Sequence, residues 1–194
     1  MSTPYEYKLK VERQINDWHI PLNKNGVTLK EGLDSMGGFK LEAGEVPLVI
    51  KLVENPKYDI GLFAGNVSLY NHDSIHLLLG RGLRVKDEAF VIGYTMGSTK
   101  KMWRWRKNLY MFCAKYLFPD GYSFGEEERF VFNMGVMAGV NCPTDLSRQD
   151  FKKLQNKKLK IIREELGVDK QLLKDIYRLE KKCFPDSKES QRLL

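Results

Sequence analysis

The sequence is short of the residues on which small secreted and thiolate-bound proteins depend. Its 194 residues include three cysteines, Cys113, Cys142 and Cys183, widely spaced and without a Cys-x-x-Cys pair. That spacing argues against a disulfide framework and a thiolate zinc site, and it fits a reducing compartment. Histidine is equally scarce, so any imidazole chemistry has to come from His19, His72 and His76. No apolar run approaches the roughly 18–20 residues that cross a bilayer. The longest, Val46 to Val53, is broken by Pro47 and Lys51. Two-residue alternation clean enough to mark a strand is missing, as are internal repeats and low-complexity tracts. The N-terminal stretch lacks a signal-peptide core and carries glutamate, which argues against secretion and against a transit peptide. A cytoplasmic protein without a transmembrane segment is expected, with peripheral membrane association left open.

What is present is enough apolar residue, 42%, for one sizeable core, alongside 29% charged residues that are normal for a globular surface. The formal net charge is +7, and most of the excess follows Ser147. There Lys152, Lys153, Lys157, Lys158, Lys160 and Arg163 recur at helical spacing, with Glu164, Glu165, Asp169, Asp175 and Glu180 interspersed further on. Mixed signs on an amphipathic helix describe a solvated outer face and disfavour nucleic acid. An anionic membrane surface and an acidic partner are the remaining readings of the same lysines.

The periodic segments predict one all-α domain over 1–184, with 185–194 as a disordered tail. Helices are expected over 5–18, 28–36 with Thr28 as cap, 48–53, 66–79, 87–96 with Asp87 as cap, 100–117, 124–140, from Thr144 or Ser147 to Leu166, and 168–183. Gly80-Arg81-Gly82 and Gly167 mark helix ends.

Two of the histidines lie in Asn71-His72-Asp73-Ser74-Ile75-His76. A spacing of four stacks both imidazoles on one helical face, one turn apart, where they can hold a single ion. Ile75 and Leu79 make that face apolar, and buried imidazoles beside the Asp73 carboxylate need a compensating group. The glycines after Leu79 permit a tight reversal, and Glu88 on the returning helix then faces His76. His72, Asp73, His76 and Glu88 therefore form a candidate mononuclear site on an αα-hairpin. Two nitrogens and two carboxylates suit zinc, iron or manganese. His19, beside Trp18, has no such company and is expected to be structural.

The run His72-Asp73-x-x-His76, eleven residues, then Glu88 resembles the signature of the coenzyme Q biosynthesis protein 4 family. Leu77 to Gly80, Asp87-Glu88-Ala89, Met134 to Gly139 and Lys160 to Val168, with its Arg163-x-x-Leu166-Gly167 pattern, extend the resemblance loosely over about residues 30–169. The resemblance implies an all-α fold and one divalent ion, zinc first, on those four side chains. It also implies a role in ubiquinone biosynthesis on a prenylated aromatic acid, associated with oxidative decarboxylation at ring carbon one. The partners it implies are a prenylated small molecule or lipid and other quinone-biosynthesis proteins, with a homo-oligomer also open. The segment after Pro47 is shorter than the family pattern, and the basic stretch after Gly167 lies outside it.

Arg81 and Arg84, in the loop between the ligands, are candidate clamps for a carboxylate or phosphate, or else solvated loop arginines. Lys100 to Lys107 interleaves cations with Trp103 and Trp105, which fits nucleic-acid stacking, a membrane interface, or an ordinary half-buried helix. Phe124, Phe130, Phe132, Met134 and Met137 are expected in the core, with a groove for a long apolar tail as the second reading. No catalytic residue is assigned. A metal-dependent enzyme of lyase type and a non-catalytic basic adaptor with a structural metal are the competing functions. A phosphohydrolase of the His-Asp type lacks the further histidines it requires.

Overall fold

The computed structural model describes residues 18–36, 68–100 and 124–194, and within them the chain is helical, as the periodicity predicts. The helices expected over 48–53 and 100–117, most of that over 5–18, Cys113 and the indoles of Trp103 and Trp105 lie outside the described residues. In chain order the helices are α1 (Leu29–Ser35), α2 (Leu69–Leu79), α3 (Val85–Ser98), α4 (Glu126–Asn141), α5 (Leu159–Leu166), α6 (Lys170–Cys183) and α7 (Lys188–Gln191). Between α4 and α5 the chain makes short 3-10 turns at Leu146–Arg148 and Phe151–Leu154.

Local chemistry sets most of the boundaries. Thr28 and Glu31 form a reciprocal capping box, with Glu31 N donating to the Thr28 hydroxyl at 3.2 Å and Thr28 N to the Glu31 carboxylate at 2.8 Å. Ser68 caps α2 by accepting from Asn71 N. Helices α2 and α5 end at Gly80 and Gly167, with φ of 65° and 69°, a left-handed conformation that costs glycine least. The helix α3 begins at Val85, earlier than expected, because Asp87 sits inside its first turn and accepts from Arg84 N at 3.4 Å.

The continuous basic helix expected up to Leu166 is replaced by the 3-10 turns and the shorter α5. The backbone of 155–159 is committed elsewhere: Gln155 O and Lys157 O accept from Lys30 N and Leu29 N, and Leu159 N donates to Val27 O. That antiparallel pairing, centred on the Thr28–Lys158 bridge, uses groups a helix would need.

Helices α3 and α4 cross with their backbones in contact. A Cβ placed on Gly93 or Gly97 would overlap the carbonyl of Phe132 or Val136. One placed on Gly135 or Gly139 would overlap the carbonyl of Phe90 or Tyr94. The glycines are thus notches into which the opposing helix sinks.

The second half of α2, from Ser74 to Leu79, is buried on every side. Its carbonyls are met by donors from remote parts of the chain. Arg163 on α5 donates to Leu77 O at 3.1 Å and Leu78 O at 2.7 Å, Tyr177 on α6 donates to Leu79 O at 2.6 Å, and His19 lies 3.0 Å from Gly80 O. A carbonyl only accepts, so His19 Nε2 carries the proton of that bond. Burial pushes the Arg163 guanidinium down to about 10.

The C-terminal part corrects the expectation of a disordered tail. Leu173, Tyr177 and Glu180 form the buried stripe of α6, and Glu180 holds Arg81 with paired bonds of 3.0 and 2.6 Å. Both side chains are fully buried, and the Arg81 guanidinium is stacked 4.0 Å from the Phe90 ring centroid and 4.3 Å from that of Tyr177. Beyond α6, Ser190 Oγ donates to Glu180 at 3.0 Å and Leu193 is buried in the core. Residues 170–194 are therefore part of the fold and not an appendage to it.

Removing one partner of a buried ion pair leaves the other charge uncompensated, so Glu180→Ala is expected to lower stability by about 3–5 kcal/mol. Arg178→Ala, at an exposed pair, should stay within about 0.5 kcal/mol. Urea unfolding of the two variants checks this, and equal midpoints would refute the structural role of Glu180. His19 gives a second test. Burial, the largest influence, pulls its imidazole below the ordinary value of 6.5 despite its bond to Gly80. The unfolded chain therefore binds more protons than the folded one as pH falls through about 6.5, and stability drops there until the folded His19 also titrates. In chelator-treated protein, His19→Gln should lose less stability than wild type between pH 7 and 5, as read from urea midpoints.

Candidate metal centre

His72 and His76 occupy successive turns of α2, and Glu88 lies in the first turn of α3, which follows across residues 80–84. His76 is fully buried, while the side chains of His72 and Glu88 are 15% and 28% exposed, so the group is closed on one side and reachable on the other. His72 Nε2 lies 2.9 Å from Glu88 Oε2, His76 Nε2 lies 3.2 Å from Glu88 Oε1, and the two Nε2 atoms are 3.0 Å apart. The rings meet edge to face with centroids 4.7 Å apart.

The proton inventory bears on what the triangle can hold. His76 Nδ1 is 2.7 Å from Gly82 O, and a carbonyl accepts only, so Nδ1 carries the proton. In the neutral ring Nε2 is then a bare lone pair aimed at the Nε2 of His72 and at a carboxylate oxygen. Lone pairs on these three groups converge on one small volume, which needs either shared protons or a cation to be stable. A tetrahedral ion with ligand bonds of about 2.0–2.1 Å spaces its donors about 3.4 Å apart. The observed separations fall a few tenths of an ångström short of that spacing, so small outward rotations of the side chains fit the ion. The residues present therefore suit a divalent metal, and His72, His76 and Glu88 form a group that can hold one. Burial alone would raise the Glu88 carboxyl, but when the imidazoles of His76 and His72 carry protons in place of an ion, their charges and hydrogen bonds reverse that and hold it well below the usual carboxylate range.

Asp73 does not join this group of converging donors. It lies beside it, half-buried, and burial raises its carboxyl while the neighbouring imidazoles partly offset the rise. If the three side chains held an ion, a further coordination position would remain beside them.

The arginines expected to clamp a ligand are placed differently. Arg81 is buried and committed to Glu180, with Asp87 at 3.8 Å, so it is a core residue and not a clamp. Arg84 is half-buried and donates to Glu189 on α7 at 3.2 Å. His19 bonds Gly80 O at 3.0 Å and is not among the converging donors. Cys142 is buried and Cys183 exposed, and neither approaches the triangle as a ligand. Of the aromatic stripe, Phe124, Phe132 and Met134 are buried, while Phe130 and Met137 face outward. Sequence reasoning missed the Gly82 carbonyl that orients His76, because a backbone acceptor has no sequence signature. It also missed the Glu180 partner of Arg81, although an acid at the apolar period of Leu173 and Tyr177 signals a buried charge.

Compared with known proteins, the chain is matched by no family model, by no curated protein and by no solved structure.

Proposed function

We propose that this chain is a mononuclear divalent-metal protein of ubiquinone biosynthesis that binds, and acts on or presents, a prenylated aromatic acid. The observation that carries the metal reading is the convergence of His72 Nε2, His76 Nε2 and a Glu88 carboxylate on one volume with His76 Nδ1 tied to Gly82. The quinone reading rests on the resemblance of His72-Asp73-x-x-His76 and Glu88 to the coenzyme Q biosynthesis protein 4 pattern. Zinc is the first choice of metal, with iron and manganese the others that the donor set accepts.

The chain's own residues have distinct tasks in this reading. Gly82 O fixes the His76 tautomer and so directs its lone pair. Glu88 supplies a negatively charged oxygen from the opposite helix. Asp73 lies near the triangle with a carboxyl raised by burial, and in this reading it exchanges a proton with a bound ligand. A divalent cation held by His72, His76 and Glu88 would supply Lewis-acid polarisation of a ring carboxylate or phenol oxygen. With Arg81 buried, recognition of the acid falls to the metal position itself. The protein works in the cytoplasm or peripherally at a membrane. The competing adaptor reading requires a closed four-ligand sphere with Asp73 as the fourth donor.

Elemental analysis of gently purified protein tests the centre. Wild type and His19→Ala are expected to carry about one equivalent of metal. His76→Ala and Glu88→Ala should lose most of it, by at least the about 10–100-fold in affinity that losing an outer partner of a ligand costs. Equal metal content in all four proteins would remove the site. A prenylated aromatic compound in the lipid extract of the same wild-type sample supports the quinone reading. An exchange-inert, water-free coordination sphere would favour the adaptor.

A further inference from the structure

The turn that aims the metal ligands is held from a distant part of the chain. Arg192 follows α7, and its Nη2 donates to Asp87 Oδ2 at 2.6 Å. The same guanidinium lies against Gly82 so closely that a Cβ there would overlap it. Each of these contacts lies one link from a ligand. Gly82 O orients His76 through its 2.7 Å bond to Nδ1, and Asp87 immediately precedes Glu88 in the first turn of α3. Asp87 is fully buried; besides Arg192, it accepts from Arg84 N at 3.4 Å and has Arg81 3.8 Å away, already paired with Glu180. Without Arg192 the Asp87 charge would lose its closest cation in a buried setting, a state that favours movement of the first turn of α3.

The segment carrying Arg192 is itself pinned at several points. Lys86 Nζ donates to Ser187 Oγ at 2.9 Å, Arg84 Nη1 to Glu189 at 3.2 Å, and Ser190 Oγ to Glu180 at 3.0 Å. Leu193 is buried in the core. Three of the residues receiving this segment, Arg84, Lys86 and Asp87, lie in or beside the first turn of α3.

The geometry points to Arg192 as a positioning residue of the metal centre, with residues 187–194 forming a clasp that keeps 82–88 in its ligand-aiming form. The inference rests on the metal reading proposed above. It lies outside the stretch that resembles the quinone-biosynthesis family, so it belongs to this chain's own architecture. Arg192 does not touch the ligand atoms; it acts through Gly82 and Asp87.

The test is competition titration of the metal-free protein with zinc against a chromophoric chelator, together with the absorption spectrum of the cobalt-loaded protein. Arg192→Gln is expected to weaken zinc binding about 10–100-fold and to change the cobalt spectrum, because the donor geometry shifts. Arg192→Lys should recover part of the affinity, since an ammonium reaches Asp87 but does not also lie flat on Gly82. Ile162→Val lowers stability in the core without touching the clasp and should bind zinc as wild type does, which separates positioning from general stability. If Arg192→Gln does not fold, Arg192→Lys decides: an altered cobalt spectrum in a folded protein supports the inference and an unchanged one overturns it. Wild type that binds no metal refutes the metal centre itself. Wild type that binds zinc while both Arg192 variants bind equally well with the same spectrum overturns the role of Arg192 alone.

Discussion

The last turn of α2 is enclosed on every side, and the arrangement of the rest of the chain follows from how its carbonyl oxygens are satisfied. An unmet buried acceptor costs about 1–3 kcal/mol, and several stand here in succession. Arg163, Tyr177 and His19, from three separate parts of the sequence, supply the missing donors. Arg163 is engaged with neutral oxygens, those of Leu77, Leu78 and Asn25, so its positive charge is balanced in part by the negative end of the helix it caps. Because these donors lie on α5, on α6 and ahead of α1, fastening the end of α2 also assembles the elements around it.

The metal triangle inherits its rigidity from that fastening. His76 immediately precedes the capped carbonyls of Leu77 to Gly80, and its ring is locked by Gly82 in the turn that follows. Arg81, between them in sequence, is drawn into the core by Glu180 and sandwiched by Phe90 and Tyr177. The residues at 80–84 are thus neither a loose loop nor a ligand clamp. Their polar groups face inward and hold the two ligand-bearing helices at a fixed separation.

The fold class and most helices were legible because their signals are local. A capping box at Thr28 and Glu31, glycine stops at 80 and 167, and the apolar stripes of α5 and α6 all act within a few residues. The His72 and His76 pair was legible for the same reason, since a spacing of four specifies a shared face wherever the helix goes. Glu88 could be placed only by supposing a reversal after Gly80. The failures share a cause as well. The break between 3-10 turns and α5 depends on pairing with Val27 to Lys30, the burial of Arg81 depends on Glu180, and the order of 185–194 depends on Asp87 and the core around Leu193. Each is a contact across a long stretch of chain, and a charge in sequence carries no mark of which distant charge it will meet.

The glycine notches between α3 and α4 have a mechanical consequence for the site. Most helix pairs are separated by a layer of side chains that can repack and absorb small displacements. Here carbonyls sit directly in the recesses at Gly93, Gly97, Gly135 and Gly139, so that cushioning layer is missing. The two helices are geared: relative sliding is blocked until a whole turn, about 5.4 Å, has been skipped. Glu88 stands five residues before Gly93, about 7.5 Å along the same shaft. Its height along α3 is therefore registered against α4, a helix that contributes no donor to the triangle, at glycine positions remote from it.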